Sequence, residues 1–146
     1  METFNIYKNL ALLNNMPMDE AAAIFRSCSG SELWALRMAE ARPFLMLEGL
    51  YEAAGAIWFA LPPEERIDAY SSLRPDVSVI ELAEPARLYK EKFGFIFVVC
   101  HTGKSSNEML AICRARLGNS VETELQIAAE EHRKIIKDRL NKLLEQ

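Results

Sequence analysis

One run of residues decides what this chain can fold into. Residues 93–100 (FGFIFVVC) are short, aromatic and β-branched, the composition of a strand. The tally of segments gives no second strand for this run to pair with, and a lone strand cannot satisfy its backbone groups. Most of the remaining chain reads at helical period. The sequence therefore predicts an all-α protein in which FGFIFVVC is an extended or loosely turned connection.

Glycines, prolines and capping residues divide the helical part. Residues 19–28 are a short amphipathic stretch with Ala22, Ile24, Phe25 and Cys28 on its apolar side, broken by Ser29-Gly30-Ser31. Ser31 is placed to cap a helix over 32–41. Pro43 stops it, because proline restricts Arg42 and supplies no amide proton. Residues 44–61 are the most apolar: Phe44, Leu47, Leu50, Tyr51, Ala54, Ile57, Trp58 and Leu61 recur at three and four, which predicts a central buried helix. Pro62-Pro63 ends it, and Glu64-Glu65 open another that fades near Ser71-Ser72. Residues 74–78 read as a loop and 81–92 as a helix with Leu82, Leu88 and Tyr89 inward. Ser105 and Glu108 have capping-box spacing before a helix running to Leu117, with Gly118 as its C′ glycine. Asn119 and Glu122 repeat that spacing ahead of a long last helix ending at about Leu144. The expectation is one domain over 1–146, a bundle of about seven helices.

Composition narrows the function classes. The net charge of −4 gives no basic excess to neutralise phosphates, so nucleic acid is not an expected partner. No run of about 18 uncharged apolar residues predicts a membrane span. The start METFNIYKNL has no basic stretch before an apolar core, so no secretory signal is expected. Three cysteines, Cys28, Cys100 and Cys113, stand at unrelated spacings and fit a reduced cytosol. Two histidines and no CxxC give little basis for a zinc site.

The last helix carries a polar anomaly. At about 100° per residue, Leu125, Ala128, His132, Ile135, Ile136 and Leu143 form one apolar stripe, and Arg139 falls inside it near His132. Arg139 either snorkels to water from the edge of that stripe or offers its planar fork to an anion. His132 reads as a satisfied, partly buried histidine. His101 follows the apolar run in a loop, as an exposed histidine or as an acid–base group. Glu81 and Glu84 share a helix face, an arrangement that is usually solvated but can serve acid–base work. Cys100 and Cys113 read as small core residues.

Several motifs fall in one order: Arg42-Pro43-Phe44, YKEKFGFIFVVC from Tyr89 to Cys100, Arg116-Leu117-Gly118-Asn119 followed by Glu124, and Lys134-Ile135 with Arg139-Leu140. Together they resemble the decarboxylases of 2-oxo-4-hydroxy-4-carboxy-5-ureidoimidazoline (OHCU) in the urate-to-allantoin pathway. The resemblance covers nearly the whole chain. It implies an all-helical fold, a homodimer and no cofactor, with a small anionic ureidoimidazoline as ligand; the cytoplasmic setting expected from the cysteines agrees with it. It also implies a reaction that removes carbon dioxide and leaves (S)-allantoin. By the same resemblance the substrate lies against backbone groups of Phe97, Val98, Val99, Cys100 and His101 and against Arg139. The family's His-Pro motif falls on Arg74-Pro75, so an arginine stands at the histidine position. No Ser-x-x-Glu-Gln segment lies between Arg74 and Phe93, and Ile96 replaces the proline after FGF. The expectation is slow turnover, with acid–base work moved to His101 and Glu81 or Glu84. The alternative is a non-catalytic module that binds a small anion or a protein partner in the same pocket.

Overall fold

The structure, a computed structural model, describes residues 2–71 and 84–146, with side chains from Phe4 onward. Eight helices occur among them: α1 (Glu2–Asn15), α2 (Met18–Ser29), α3 (Glu32–Ala41), α4 (Leu47–Ala60), α5 (Pro63–Tyr70), α6 (Glu84–Phe93), α7 (Ser106–Arg116) and α8 (Val121–Glu145). The described residues contain no strand, and residues 96–101 connect α6 to the turn before α7 without regular structure. The all-α expectation holds.

The capping residues account for most helix boundaries. Ser31 accepts from the Trp34 amide and starts α3, and Ser105 accepts from the Glu108 amide and starts α7. Gly30 ends α2 in the left-handed region at φ 82°, where a side chain would be strained. Gly94 at φ 83° does the same after α6, its amide bonding back to the Lys90 carbonyl, and so turns the chain into the connection.

Other boundaries differ from the sequence reading. Helix α1 was not predicted. It is tied down at its C-terminal end by Arg42, whose Nη1 donates to the Leu13 and Met16 carbonyls at 2.8 Å each. Asn14 pairs with both backbone groups of Phe44. Helix α4 begins at Leu47, because Met46 is extended, and it buries only the stripe Leu50, Ala54 and Trp58. It is one-sided, not buried all round. Leu88 is 44% exposed, contrary to the inward position expected for it. Gly118 is not left-handed, since Leu117 closes α7 with an ordinary helical conformation. The cap of α8 is Ser120, which accepts from the Thr123 amide, and not Asn119. Leu82 lies outside the described residues.

An apolar core runs from Leu10 on α1 to Leu144 on α8. Trp34 and Trp58 are at its centre with no exposed surface. The Trp34 indole donates to the Ala54 carbonyl at 3.0 Å and the Trp58 indole to the Ala129 carbonyl at 2.9 Å. Each ring therefore fills space between helices and also fixes α3 to α4 or α4 to α8. α8 packs against α1, α2, α4 and α5, which places its middle turns at the centre of the molecule.

Candidate functional site

The connection after Gly94 combines irregular backbone with burial. Phe95, Ile96, Phe97, Val98, Val99 and Cys100 are all buried, although they belong to no helix. Buried backbone outside regular structure needs partners. Two side chains supply them. Arg116 on α7 donates through Nη1 to the Val98 carbonyl at 2.7 Å. Glu131 on α8 accepts from the Cys100 amide at 3.0 Å. Lys104 then reaches back to the Cys100 carbonyl at 3.0 Å. Among the described residues no hydrogen bond is made by the backbone of Phe97 or Val99.

Arg116 is itself held. Its Nε donates to Glu124 Oε1 at 2.7 Å, and Nη2 lies 3.3 Å from the Tyr89 hydroxyl. Tyr89 donates to the same carboxylate oxygen at 2.7 Å, and the Asn119 amide holds the other oxygen at 2.8 Å. The guanidinium stacks over the Phe97 ring with its carbon 4.7 Å from the centroid. Glu124 has no exposed surface and Arg116 is 6% exposed, so this is a buried ion pair with its remaining valences filled. The Arg-Leu-Gly-Asn run and Glu124 thus form a grip on the connection.

Glu131 binds on the outer side of α8. Burial works against its charged form. The bonds from Lys134, at 2.6 Å, and from the Cys100 amide outweigh that and hold its carboxyl below the usual range. Asp138, two turns further on, accepts from Thr102 Oγ1 at 2.8 Å and lies 3.5 Å from Cys100 Sγ. Asp138, Glu131 and Lys104 all meet the chain at residues 100–102.

His132 and Arg139 share the inner side of α8. His132 has no exposed surface and lies between Trp58 and Tyr70, with ring centroids 4.5 and 5.4 Å away. Its Nε2 lies 2.9 Å from the Ser29 carbonyl, so that nitrogen carries the proton and Nδ1 is bare. Nδ1 has no partner among the described residues, so His132 is fully rather than partly buried and only half satisfied. Burial pushes its pKa down to about 4; the Ser29 bond opposes the fall, and the Arg139 guanidinium adds to it. Arg139 also acts on Cys28, whose thiol burial pushes up to about 11 against the opposing pull of Ser27 and Arg139. Arg139 is half-buried and not free. Arg139 thus lies within electrostatic reach of His132 and of Cys28 near the end of α2.

The remaining candidates separate from this centre. His101 is exposed in the turn before α7. Glu84 is exposed at the start of α6. Arg74, Pro75 and Glu81 lie outside the described residues. At two of the five connection positions the backbone already has partners: the Val98 carbonyl is bonded by Arg116, and the Cys100 amide and carbonyl by Glu131 and Lys104. Sequence reading missed Glu131, because its position on the polar edge of α8 gives no sign of the amide it meets. Among the described residues no group of His, Cys, Asp and Glu could hold a metal ion, and no helix is long and apolar enough to cross a membrane. Cys28, Cys100 and Cys113 are unpaired and buried.

The all-helical arrangement of the described residues is shared with known proteins. The OHCU decarboxylase family model matches residues 69–141. The chain is 32% identical to the uric acid degradation bifunctional protein TTL of Arabidopsis thaliana, over 88% of this chain and 48% of that protein. It is 35% identical to the 2-oxo-4-hydroxy-4-carboxy-5-ureidoimidazoline decarboxylase of Amia calva, over 47% of this chain and 43% of that one. The chain thus spans about half the length of these curated relatives or less. Among solved structures, an OHCU decarboxylase crystallised in the presence of (S)-allantoin superposes with a TM-score of 0.73 at 31% identity, covering 84% of this chain and 97% of that one. An (S)-allantoin synthase shares the fold at 17% identity, with a TM-score of 0.75 over 92% of this chain and 53% of that one. The chain belongs to the OHCU decarboxylase family.

Proposed function

We propose that residues 1–146 form one OHCU decarboxylase-like domain that binds a small anionic ureidoimidazoline and removes its carboxylate as carbon dioxide, giving (S)-allantoin without a cofactor. The observation that carries this reading is the buried connection, in which Phe97 and Val99 keep unpaired backbone groups while Val98 and Cys100 are gripped. Such groups cost free energy when buried without a partner, and a polar ligand supplies one. Arg139 offers the charge and fork for a carboxylate on the inner side of α8. Backbone N–H donors then face the charge left when the C–C bond to the carboxylate breaks, before a proton is added at that carbon. By family resemblance the protein works as a homodimer in urate degradation, and its three unpaired cysteines suit a cytoplasmic setting.

Arg74 stands at the family's histidine position, and a guanidinium cannot exchange a proton near neutral pH as imidazole does. Turnover should therefore fall below that of motif-complete enzymes by about 10²–10⁴, the usual worth of one acid–base group. Stopped-flow decay of freshly generated OHCU, with the chirality of the product read by circular dichroism, tests this. Turnover equal to a motif-complete enzyme refutes the slow-enzyme reading. Binding of allantoin without any turnover favours the second reading, a non-catalytic module that keeps the pocket for a small anion. Arg139→Ala should abolish binding in either case.

A further inference from the structure

We infer that Arg116 and Glu131 are positioning residues, which hold the connection by the backbone of Val98 and Cys100 and thereby present the N–H and C=O of Val99 to the ligand as a donor–acceptor pair. The inference rests on the functional reading above and adds to it the chemistry that the site selects.

The argument starts from the peptide group. Across a trans peptide the C=O and N–H point in opposite directions. Among the described residues the only cis bond is Arg42-Pro43, so the bonds around Val99 are trans. The Val98 carbonyl points at Arg116, so the Val99 N–H, in the same peptide plane, points away from Arg116. The Cys100 N–H points at Glu131, so the Val99 C=O points away from Glu131. Two side chains on two different helices thus orient both polar groups of one residue that neither of them touches. Val99 is 2% exposed and makes no hydrogen bond among the described residues.

Each clamp is chosen for rigidity. A guanidinium can bond Glu124, Val98 and Tyr89 at once through three different nitrogens, which an ammonium cannot do from one point. Glu131 keeps one oxygen on the Cys100 amide while Lys134 holds the other. A fixed donor beside a fixed acceptor matches a ligand edge carrying C=O next to N–H, as in a cyclic amide or ureide. A simple carboxylate has no N–H and can use only half of the pair.

The test uses the full chain, with (S)-allantoin and acetate as probes and backbone amide NMR as readout. In the unliganded protein the Cys100 amide proton should resonate downfield of Val99, and Glu131→Ala should move Cys100 upfield. Allantoin, which can meet both groups, should shift the Val99 amide at a far lower concentration than acetate, which can accept from the N–H alone. Glu131→Ala should weaken allantoin binding roughly tenfold or more, the worth of one well-made charged hydrogen bond, and Glu131→Gln should restore most of it. Ser120→Ala, which removes a cap from the same helix, should lower the melting temperature and leave affinity unchanged. That control separates positioning from general loss of stability. Arg116→Lys should weaken binding while the protein stays folded by far-ultraviolet circular dichroism. A Cys100 resonance unmoved in Glu131→Ala overturns the clamp whether or not allantoin binds. Failure of the wild type to bind allantoin, with Cys100 moved as expected, overturns the ligand assignment and the functional reading alone.

Discussion

Glu124 and His132 lie just over two turns apart on α8, both without exposed surface, and the protein treats them in opposite ways. Glu124 is met by Tyr89, Arg116 and Asn119, so its charge is paired and both oxygens are bonded. His132 has one bond, to Ser29, and leaves Nδ1 unpaired against Trp58 and Tyr70. A carboxylate near pH 7 pays a large desolvation cost unless it is enclosed, so Glu124 is enclosed. An imidazole can shed its charge, so His132 is buried neutral and left half-satisfied. The enclosed group holds the connection in place. The neutral group sits beside Arg139, on the side of α8 proposed to meet the ligand.

The largest test of this contrast is to remove the partner of Glu124. Arg116→Ala strands a buried carboxylate and frees the Val98 carbonyl, and should cost about 3–5 kcal/mol in urea unfolding. A loss below about 1 kcal/mol would mean that Tyr89 and Asn119 satisfy Glu124 without Arg116, and that the ion pair is not what holds this part of the fold.

The second test concerns His132, where the sign follows from proton counts. The unfolded imidazole binds a proton near pH 6.5, and the folded one only near 4. Between those values the unfolded state holds more protons, so stability is full above about pH 6.5 and is lost as pH falls toward 4. The loss should reach about 3 kcal/mol across that window. His132→Leu should flatten this part of the curve. Glu131, whose carboxyl is also held low, acts with the same sign at lower pH, so the difference between wild type and His132→Leu isolates the histidine. Identical pH profiles for the two would show that His132 is not buried neutral.

These two side chains also show what could be read in advance. Period alone put Ala128, His132, Ile136 and Arg139 on one inward side of α8, and the lack of a partner for FGFIFVVC was enough to make the protein all-α. Ser31 and Ser105 announced their helices because each cap is a local interaction. Helix α1 was not legible: its buried positions Leu10 and Leu13 make a narrow stripe, and its anchors Arg42 and Phe44 come from some thirty residues away. Glu131 looked like an ordinary solvated acid, since its role depends on where the connection passes. The distinction between Val98 and Val99 depends on the orientation of two peptide planes, which only Arg116 and Glu131 fix. Asn119 and Ser120 are adjacent and both suited to capping, and the sequence cannot say which one has a better use elsewhere.

That last pair gives the smallest and most discriminating test. Asn119 donates to Glu124 Oε2 at 2.8 Å, so Asn119→Ala takes a donor from a buried carboxylate and should cost about 2 kcal/mol. Ser120 caps α8 at an exposed position, and Ser120→Ala should cost about 1 kcal/mol. Both can be read from denaturant midpoints at equal slope. The order matters more than the sizes. If the cap proves worth more than the amide, water serves the second oxygen of Glu124, and the enclosure is looser than its bond lengths suggest. Asn119→Asp sharpens the point. It places a second carboxyl beside Glu124 at a site suited to one negative charge, so it should destabilise more than alanine at neutral pH. The excess over alanine should shrink as the pH falls and the added carboxyl protonates, a recovery opposite in sign to the acid loss at His132.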